Sequence, residues 1–192
     1  MAPSGQAGVY PLFLKLEGRA VVVVGAGPVA EGKIAGLLAA GARVRVIAPD
    51  ATAALRRLAR EGTIEWREGS FQDADADGAW LVIAATSDPH AQRLAAEAAH
   101  SRRVFVIAVD DPGNATAYSG AVVERAPFAV AISSSGATPA LTRLLREIIE
   151  ELLPEEAWVE HALRLRAEWR AQGTPMGGRF AELVKAFKAR AG

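Results

Sequence analysis

The chain has 192 residues, of which 51% are hydrophobic and 23% charged, and its 22 basic and 22 acidic side chains leave no net charge. Because the charges balance, the net charge does not attract the chain to nucleic acid or to a membrane surface, which excludes proteins that bind these partners through overall charge. The absence of cysteine excludes disulfides and thiolate chemistry, and with only three histidines we expect no resident metal site.

The N-terminal region opens with a short tail and then a glycine-rich turn. Residues 1–9 lack the basic start and apolar core of a signal peptide, so we expect a disordered tail. No apolar run is long enough for a membrane-spanning helix, and we expect a cytoplasmic protein. The β-branched run Val21 to Val24 predicts a buried strand over 20–24, followed by Gly25, Gly27 and a helix over 28–40. Glycines at these positions permit a tight turn and let a pyrophosphate approach the backbone N–H groups.

The alternation of strand and helix that begins at the glycine turn continues along the chain. Strands are predicted at 43–48, 63–67, 79–86 and 103–109, with helices at 51–61 and 89–101. This alternation indicates an α/β fold, a Rossmann-type parallel sheet domain over 10–113 that binds a dinucleotide at the carboxyl ends of its strands.

The chain changes character after residue 113. Two short strands at 118–124 and 127–133 follow each other without a helix between them, and Thr138-Pro139 predicts the N-cap hydroxyl and first residue of a helix over 139–152. We therefore expect a small α+β segment over 114–153 and a helical C-terminal region over 154–192.

The end of the second strand carries Pro49 and Asp50. An acid at this point of a dinucleotide fold contacts the adenosine ribose, and Asp50 would repel a 2′-phosphate, which favours NAD over NADP. Alternatively, Pro49-Asp50 only turns the chain and caps the next helix. Several arginines nearby leave the choice of coenzyme open.

Polar residues also follow the fourth and fifth strands. Thr86 is placed to hydrogen-bond the ribose or pyrophosphate, while Ser87 or Asp88 caps the helix that follows. Asp110-Asp111 leaves the fifth strand where a nicotinamide would lie, although Asp-Asp-Pro-Gly is also ordinary turn chemistry.

The segment Ser133-Ser134-Ser135-Gly136 precedes the helix that carries Arg143 and Arg146. Hydroxyls, a glycine and a helix N-terminus suit the binding of carboxylates. A capped loop, with both arginines paired to Glu147 and Glu150, is the structural alternative.

Several of these stretches together resemble the precorrin-2 dehydrogenase family, which includes the N-terminal part of siroheme synthase. The resemblance runs from about residue 10 to 154. It is carried by YPLFLKLEGRAVVVVGAGPVAEGKI, WLVIAATSD, VDDP and PFAVAISSSGATPALTRLLREIIEELLP. The last of these is the most specific, because dinucleotide folds in general lack it.

The resemblance implies NAD-dependent oxidation of precorrin-2 to sirohydrochlorin, and in bifunctional members insertion of Fe²⁺ to give siroheme. It also implies a homodimer formed through residues 114–150. The family's essential acid corresponds to Asp110, and its cofactor positions to Gly25, Gly27, Pro28, Val29, Pro49 and Asp50. Ser134 corresponds to the serine beside the active cleft.

An acidic tetrapyrrole needs hydrogen-bond donors in its pocket, and Arg125, Arg143, Arg146 and the segment Ser133, Ser134 and Gly136 are the candidates. A non-catalytic NAD-sensing regulatory module would share the glycine turn. That reading leaves no purpose for the SSSGATPALTRLLR segment, which favours an enzyme.

Overall fold

A parallel five-stranded sheet forms the centre of the first part of the chain. The structure, a computed structural model, describes residues 8–135, 137–154 and 156–190. Its strands run in the order β3-β2-β1-β4-β5, all parallel. They are β1 (Ala20–Val24), β2 (Arg43–Ala48), β3 (Glu65–Glu68), β4 (Leu81–Ala84) and β5 (Phe105–Ala108). This is the Rossmann-type α/β fold that the sequence predicts.

Helices cover both faces of the sheet. They are α1 (Pro28–Ala39), α2 (Ala53–Arg60) and α3 (Pro89–Ser101). One apolar core joins α1 and α2 to the sheet through residues such as Ile34 and Leu55, and a second core joins α3 to the opposite face. The central strands β1 and β4 are buried on both faces, which explains their unbroken apolar sequence.

Predicted and observed boundaries agree closely where proline or glycine punctuates the sequence. Strand β2 and helix α3 have the predicted limits, and Gly41, at φ +75°, ends α1 in the left-handed conformation. Strand β1 also has its predicted limits, whereas β3 is shifted and β4 and β5 are shorter than predicted, and α2 begins at Ala53 rather than at residue 51.

The chain separates into two compact units, one extending to Gly120 and including Ser135–Ala137, the other formed by Ala121–Ser134 and the residues from Thr138 onward. The second unit contains the antiparallel pair β6 (Ala121–Arg125) and β7 (Phe128–Ile132), with α4 (Pro139–Leu152) packed against it. Helices α5 (Glu156–Gln172) and α6 (Met176–Arg190) follow and pack together, and Trp169 of α5 is buried and donates a hydrogen bond to Glu182.

The predicted disordered tail lies largely outside the described residues, which begin at residue 8. Within the part of the chain that is described, no helix has both the length and the apolar character needed to cross a membrane. The division into two compact units does not test the predicted domain limits at residues 113 and 153, which stay predictions.

Candidate functional site

The glycine turn after β1 brings the chain tightly past strand β4. Gly25 has φ +101°, a conformation that side chains rarely adopt, and its N–H donates to the carbonyl of Ile47 at 2.8 Å. A Cβ at this position would collide with the carbonyl of Ala85, just beyond β4. Gly25 is therefore required by the fold itself.

Gly27 has a different role from Gly25. It is the N-cap of α1 with φ −83°, which any residue can adopt, and a Cβ built there meets no atom within 4 Å. Pro28 occupies the first helical position, where its missing N–H costs nothing. The open space beside Gly27 therefore faces a helix N-terminus, whose unpaired N–H groups and positive dipole end favour an anion such as a pyrophosphate.

A hydrogen-bond network ties this turn to the start of α2. The Thr52 hydroxyl donates to the Glu31 carboxylate at 2.7 Å and accepts from the N–H of Leu55, while the Thr52 N–H donates to the carbonyl of Ala26. Thr52 is the N-cap of α2. The alternative interpretation that Asp50 caps this helix is therefore wrong, because the cap lies two residues further on.

The end of β2 places Asp50 beside an arginine. The Asp50 carboxylate accepts from the N–H of Ala51 at 2.7 Å and pairs with the Arg56 guanidinium. Arg56 also lies over the ring of Trp66, 5.2 Å from its centroid. Asp50 and its neighbour Pro49 are exposed, so the ribose contact predicted for this point has the space it needs.

Thr86 and Asp88 follow β4 in a tight turn. The Thr86 hydroxyl accepts from the N–H of Asp88 at 3.1 Å, and the Asp88 carboxylate accepts from the N–H of His90 at 2.9 Å. Asp88 is thus the predicted N-cap of α3. The Thr86 hydroxyl proton is not used in this turn, and its contact with a coenzyme stays a prediction.

Asp110 and Asp111, the two acids after β5, differ in their hydrogen bonding. Asp111 accepts a hydrogen bond from the side-chain amide of Asn114 at 2.6 Å, which is the turn chemistry that the sequence left as an alternative. Asp110 is exposed, and its carboxylate has no hydrogen bond or ion pair with any described residue. Its φ is +59°, a left-handed conformation that Asp tolerates better than most residues. The Asp110 carboxylate is therefore available to accept a proton at the carboxyl edge of the sheet.

Lys33 stands close to Asp110 and is not among the site residues predicted from the sequence. Its ammonium donates to the Ser119 hydroxyl at 2.7 Å. Partial burial lowers the pKa of Lys33 below the ordinary 10.5, and the negative charge of Asp110 acts in the opposite direction. The only sequence signal is a charged residue beside the apolar stripe of α1.

The serine segment caps α4 in an unexpected way. The Ser134 hydroxyl accepts from the N–H of Thr138 at 3.2 Å and from the hydroxyl of Thr142 at 2.9 Å. Thr138 is the N-cap residue of α4, but its own hydroxyl makes no capping bond, so the predicted N-cap hydroxyl is wrong. Ser133 directly follows β7, and Gly136 lies outside the described residues.

The three candidate arginines of the second unit all have partners within the chain. Arg125 donates to the carbonyls of Leu153 and Glu150 at 2.6 and 2.9 Å, at the C-terminal end of α4. Arg143 pairs with Glu147 at 3.1 Å, and Arg146 pairs with Glu150 at 2.7 Å. The pairing that the sequence left open is present, and substrate binding by these arginines stays a prediction.

The parallel sheet, the glycine turn and the helix N-terminus define a dinucleotide-binding protein. The chain belongs to the family described as "Putative NAD(P)-binding", which matches residues 12–121. A siroheme synthase from Xylella fastidiosa (strain M12) is 46% identical over 151 residues, covering 78% of this chain and 32% of the relative. Siroheme synthase 3 from Aeromonas hydrophila subsp. hydrophila is 41% identical over 171 residues, covering 88% and 36%.

The chain thus spans about a third of the length of these relatives. Among solved structures, the protein titled "SirC, precorrin-2 dehydrogenase" matches with a TM-score of 0.75 at 22% identity. The match covers 92% of this chain and 88% of that one. This likeness shows that the two chains share a fold.

Proposed function

We propose that this chain oxidises precorrin-2 to sirohydrochlorin with NAD. The observation that carries the proposal is an exposed carboxylate without a partner among the described residues, Asp110, at the same sheet edge as the Gly25–Gly27 turn. The names of the relatives, siroheme synthase and precorrin-2 dehydrogenase, support this choice of substrate.

The residues around the glycine turn fit a dinucleotide. Space beside Gly27 admits a pyrophosphate to the N–H groups of the first turn of α1, including that of Val29. Asp50 is exposed where the adenosine ribose would lie, and Thr86 offers a hydroxyl proton on the other side of the turn. Bound NAD would supply the hydride acceptor.

Asp110 takes the role of general base in this proposal. Oxidation of a carbon–carbon bond removes a hydride and a proton, and an ionised carboxylate accepts the proton. The exposed Asp110 oxygens, which no described residue engages, are suited to that transfer. Acid–base assistance of this kind contributes about 10²–10⁴-fold to the rate.

Carboxylates of the tetrapyrrole need cationic and hydroxyl donors, and we assign that role to Ser133, Ser134, Gly136, Arg125, Arg143 and Arg146. Of these, Arg143 is the readiest to change partner, since its side chain is 79% exposed and its ion pair lies within one helix. Exposed helical pairs contribute only about 0.3–0.5 kcal/mol, so a substrate carboxylate displaces Glu147 at little cost.

A homodimer is part of the same proposal. Helix α4 buries none of its residues in the single chain, although it carries five large apolar side chains that are exposed there: Leu141, Leu144, Leu145, Ile148 and Leu152. All five follow helical spacing on one face, and such a face needs a partner. Sedimentation equilibrium tests this, with Leu144→Glu expected to yield monomer.

The deciding experiment is an anaerobic assay with precorrin-2 and NAD, following NADH absorbance and the spectrum of sirohydrochlorin. We expect stoichiometric NADH from the parent chain, and a rate lower by about 10²–10⁴-fold in Asp110→Asn. Asn also tolerates the left-handed conformation, so the backbone is preserved. Asp111→Asn, which removes the same charge one residue away, is the matched control and should stay within a few-fold of the parent.

Coenzyme binding without NADH formation would overturn the dehydrogenase proposal in favour of a sensing module. Addition of Fe²⁺ or Co²⁺ after the first reaction is complete tests metal insertion separately, through the spectrum of the metallated product.

A further inference from the structure

We propose that Lys33 is a positioning residue for Asp110, holding the segment 110–119 through Ser119 so that the Asp110 carboxylate stays exposed at the carboxyl edge of the sheet. This inference rests on the proposed function, in which Asp110 is the base.

The contact between Lys33 and Ser119 links two parts of the site. Lys33 lies on α1, the helix that begins at the glycine turn, and Ser119 lies 86 residues further along the chain. Among the described residues, this is the only side-chain hydrogen bond between α1 and the segment that follows β5. It therefore joins the helix that begins at the coenzyme turn to the segment that begins at Asp110.

The rest of the segment is held to its own strand and not to α1. The N–H groups of Thr116 and Ala117 donate to the carbonyl of Val106 at 2.9 and 3.0 Å, and the Thr116 hydroxyl accepts from the Val106 N–H at 2.8 Å. These bonds return the chain to β5 but do not reach Ser119. Asp110 itself has φ +59°, a left-handed conformation that is uncommon for residues other than glycine.

The charges of Lys33 and Asp110 act on each other without a direct bond. The Asp110 carboxylate raises the pKa of Lys33 against the larger opposing effect of burial, so its field reaches the ammonium. The ammonium nevertheless donates to Ser119, and no ion pair with Asp110 is found in the described part of the chain. A direct ion pair would occupy the carboxylate oxygens, whereas this arrangement leaves them open to a substrate proton.

Packing alone does not account for a lysine here. Position 33 adjoins the buried residues Ala30, Ile34 and Leu37 of α1, and an apolar side chain would avoid the desolvation of an ammonium. Desolvation of the Lys33 ammonium costs free energy, and its two neighbours, Ser119 and Asp110, indicate which contacts the ammonium serves.

The test compares Lys33→Met, Lys33→Arg and Ser119→Ala with the parent chain. We expect kcat for precorrin-2 oxidation to fall about 10- to 100-fold in Lys33→Met, because small displacements of a catalytic group have effects of that size. The KM for precorrin-2 and the Kd for NAD should change by less than about threefold. Lys33→Arg should recover a large part of kcat, and Ser119→Ala should lower it by a smaller factor.

Two further measurements need no substrate. Hydrogen exchange should accelerate in residues 110–119 of Lys33→Met and stay unchanged in β1. The pKa of Lys33, followed by carbon-13 NMR of labelled lysine, should fall in Asp110→Asn, because the charge that raises it is removed.

A Lys33→Met enzyme with kcat within twofold of the parent would overturn the inference, as would unchanged exchange in 110–119. If the parent chain did not oxidise precorrin-2 at all, the proposed function would fail instead. Exchange and the Lys33 titration would then decide by themselves whether Lys33 holds this segment.

Discussion

The guanidinium of Arg56 pairs with the carboxylate of Asp50 directly after β2. In dinucleotide folds an acid at this point binds the ribose hydroxyls of NAD, whereas an arginine there accommodates the 2′-phosphate of NADP. Both residue types are present here, and their pairing neutralises the arginine. We infer that Asp50 favours NAD over NADP partly because its ion pair engages the Arg56 guanidinium.

Asp50→Ser should therefore shift the coenzyme preference toward NADP. The substitution removes a repulsive charge and frees Arg56 for the 2′-phosphate, and a charged hydrogen bond contributes about 1.5–3 kcal/mol. We expect the Kd for NADP to fall about tenfold or more while NAD binds more weakly, as measured by calorimetry.

The control for this shift is the double variant Asp50→Ser, Arg56→Ala, in which the gain for NADP should shrink to the part that comes from losing the Asp50 charge. An equal gain in the double variant would mean that Arg56 does not bind the phosphate.

The two glycines of the turn should respond oppositely to substitution. Gly27→Val should leave the free energy of unfolding within about 1 kcal/mol of the parent but abolish measurable NAD binding, because its side chain enters open space at the helix N-terminus. Gly25→Ala should instead destabilise the fold, since its Cβ meets the carbonyl of Ala85 at a positive φ.

Urea unfolding and calorimetry together distinguish the two effects. Full NAD affinity in Gly27→Val would contradict the assignment of this turn to the pyrophosphate.

The fold was largely predictable because its signals are local. Apolar runs of strand length identify β1 and β4, and prolines at the first helical position mark α1, α3 and α4 at residues 28, 89 and 139. The start of α2 was misplaced because Pro49-Asp50 resembles a capping turn, whereas Thr52 has its hydroxyl on the N–H of Leu55. Local sequence does not reveal which of several polar residues makes that bond.

The site was less predictable because its contacts join distant parts of the chain. Motif and resemblance identify Gly27 and Asp110. The role proposed for Lys33 depends on its hydrogen bond to Ser119, which lies far along the sequence. Arg125 illustrates the opposite case. From the sequence, Arg125 lies before a turn and suits an acidic substrate. In the fold its guanidinium also reaches the C-terminal end of α4, a helix that begins fourteen residues later in the chain.

Arg125→Met tests whether this arginine is mainly a helix cap. Its guanidinium bonds two backbone carbonyls at the C-terminus of α4, where a cation is favoured. We expect the free energy of unfolding to fall by about 0.5–1.5 kcal/mol in thermal melts, the net contribution of a hydrogen bond whose carbonyl can be hydrated once the arginine is removed. Arg143→Ala, which loses only an exposed pair, should cost less than about 0.5 kcal/mol.

A Michaelis constant for precorrin-2 that rises strongly in Arg125→Met, with no loss of stability, would favour the substrate role instead. The same measurement on Arg143→Ala separates binding from capping, because that residue makes no contact with a helix end.

Asp73 and Arg102 provide a pH-dependent contribution to stability. Arg102, at the end of α3, donates to both oxygens of Asp73, at 3.0 and 2.7 Å, and this lowers the pKa of Asp73 below 3.8. Because the unfolded chain then binds more protons than the folded one, the contribution is complete above pH 3.8 and is lost as the pH falls through the lower folded value. Asp73→Asn should therefore lower the free energy of unfolding at pH 6, and its difference from the parent should shrink well below pH 3.8.

In an Arg102→Met background the same substitution should have no pH-dependent effect in urea unfolding. A difference between parent and Asp73→Asn that is constant across this range would show that the two side chains do not interact in solution.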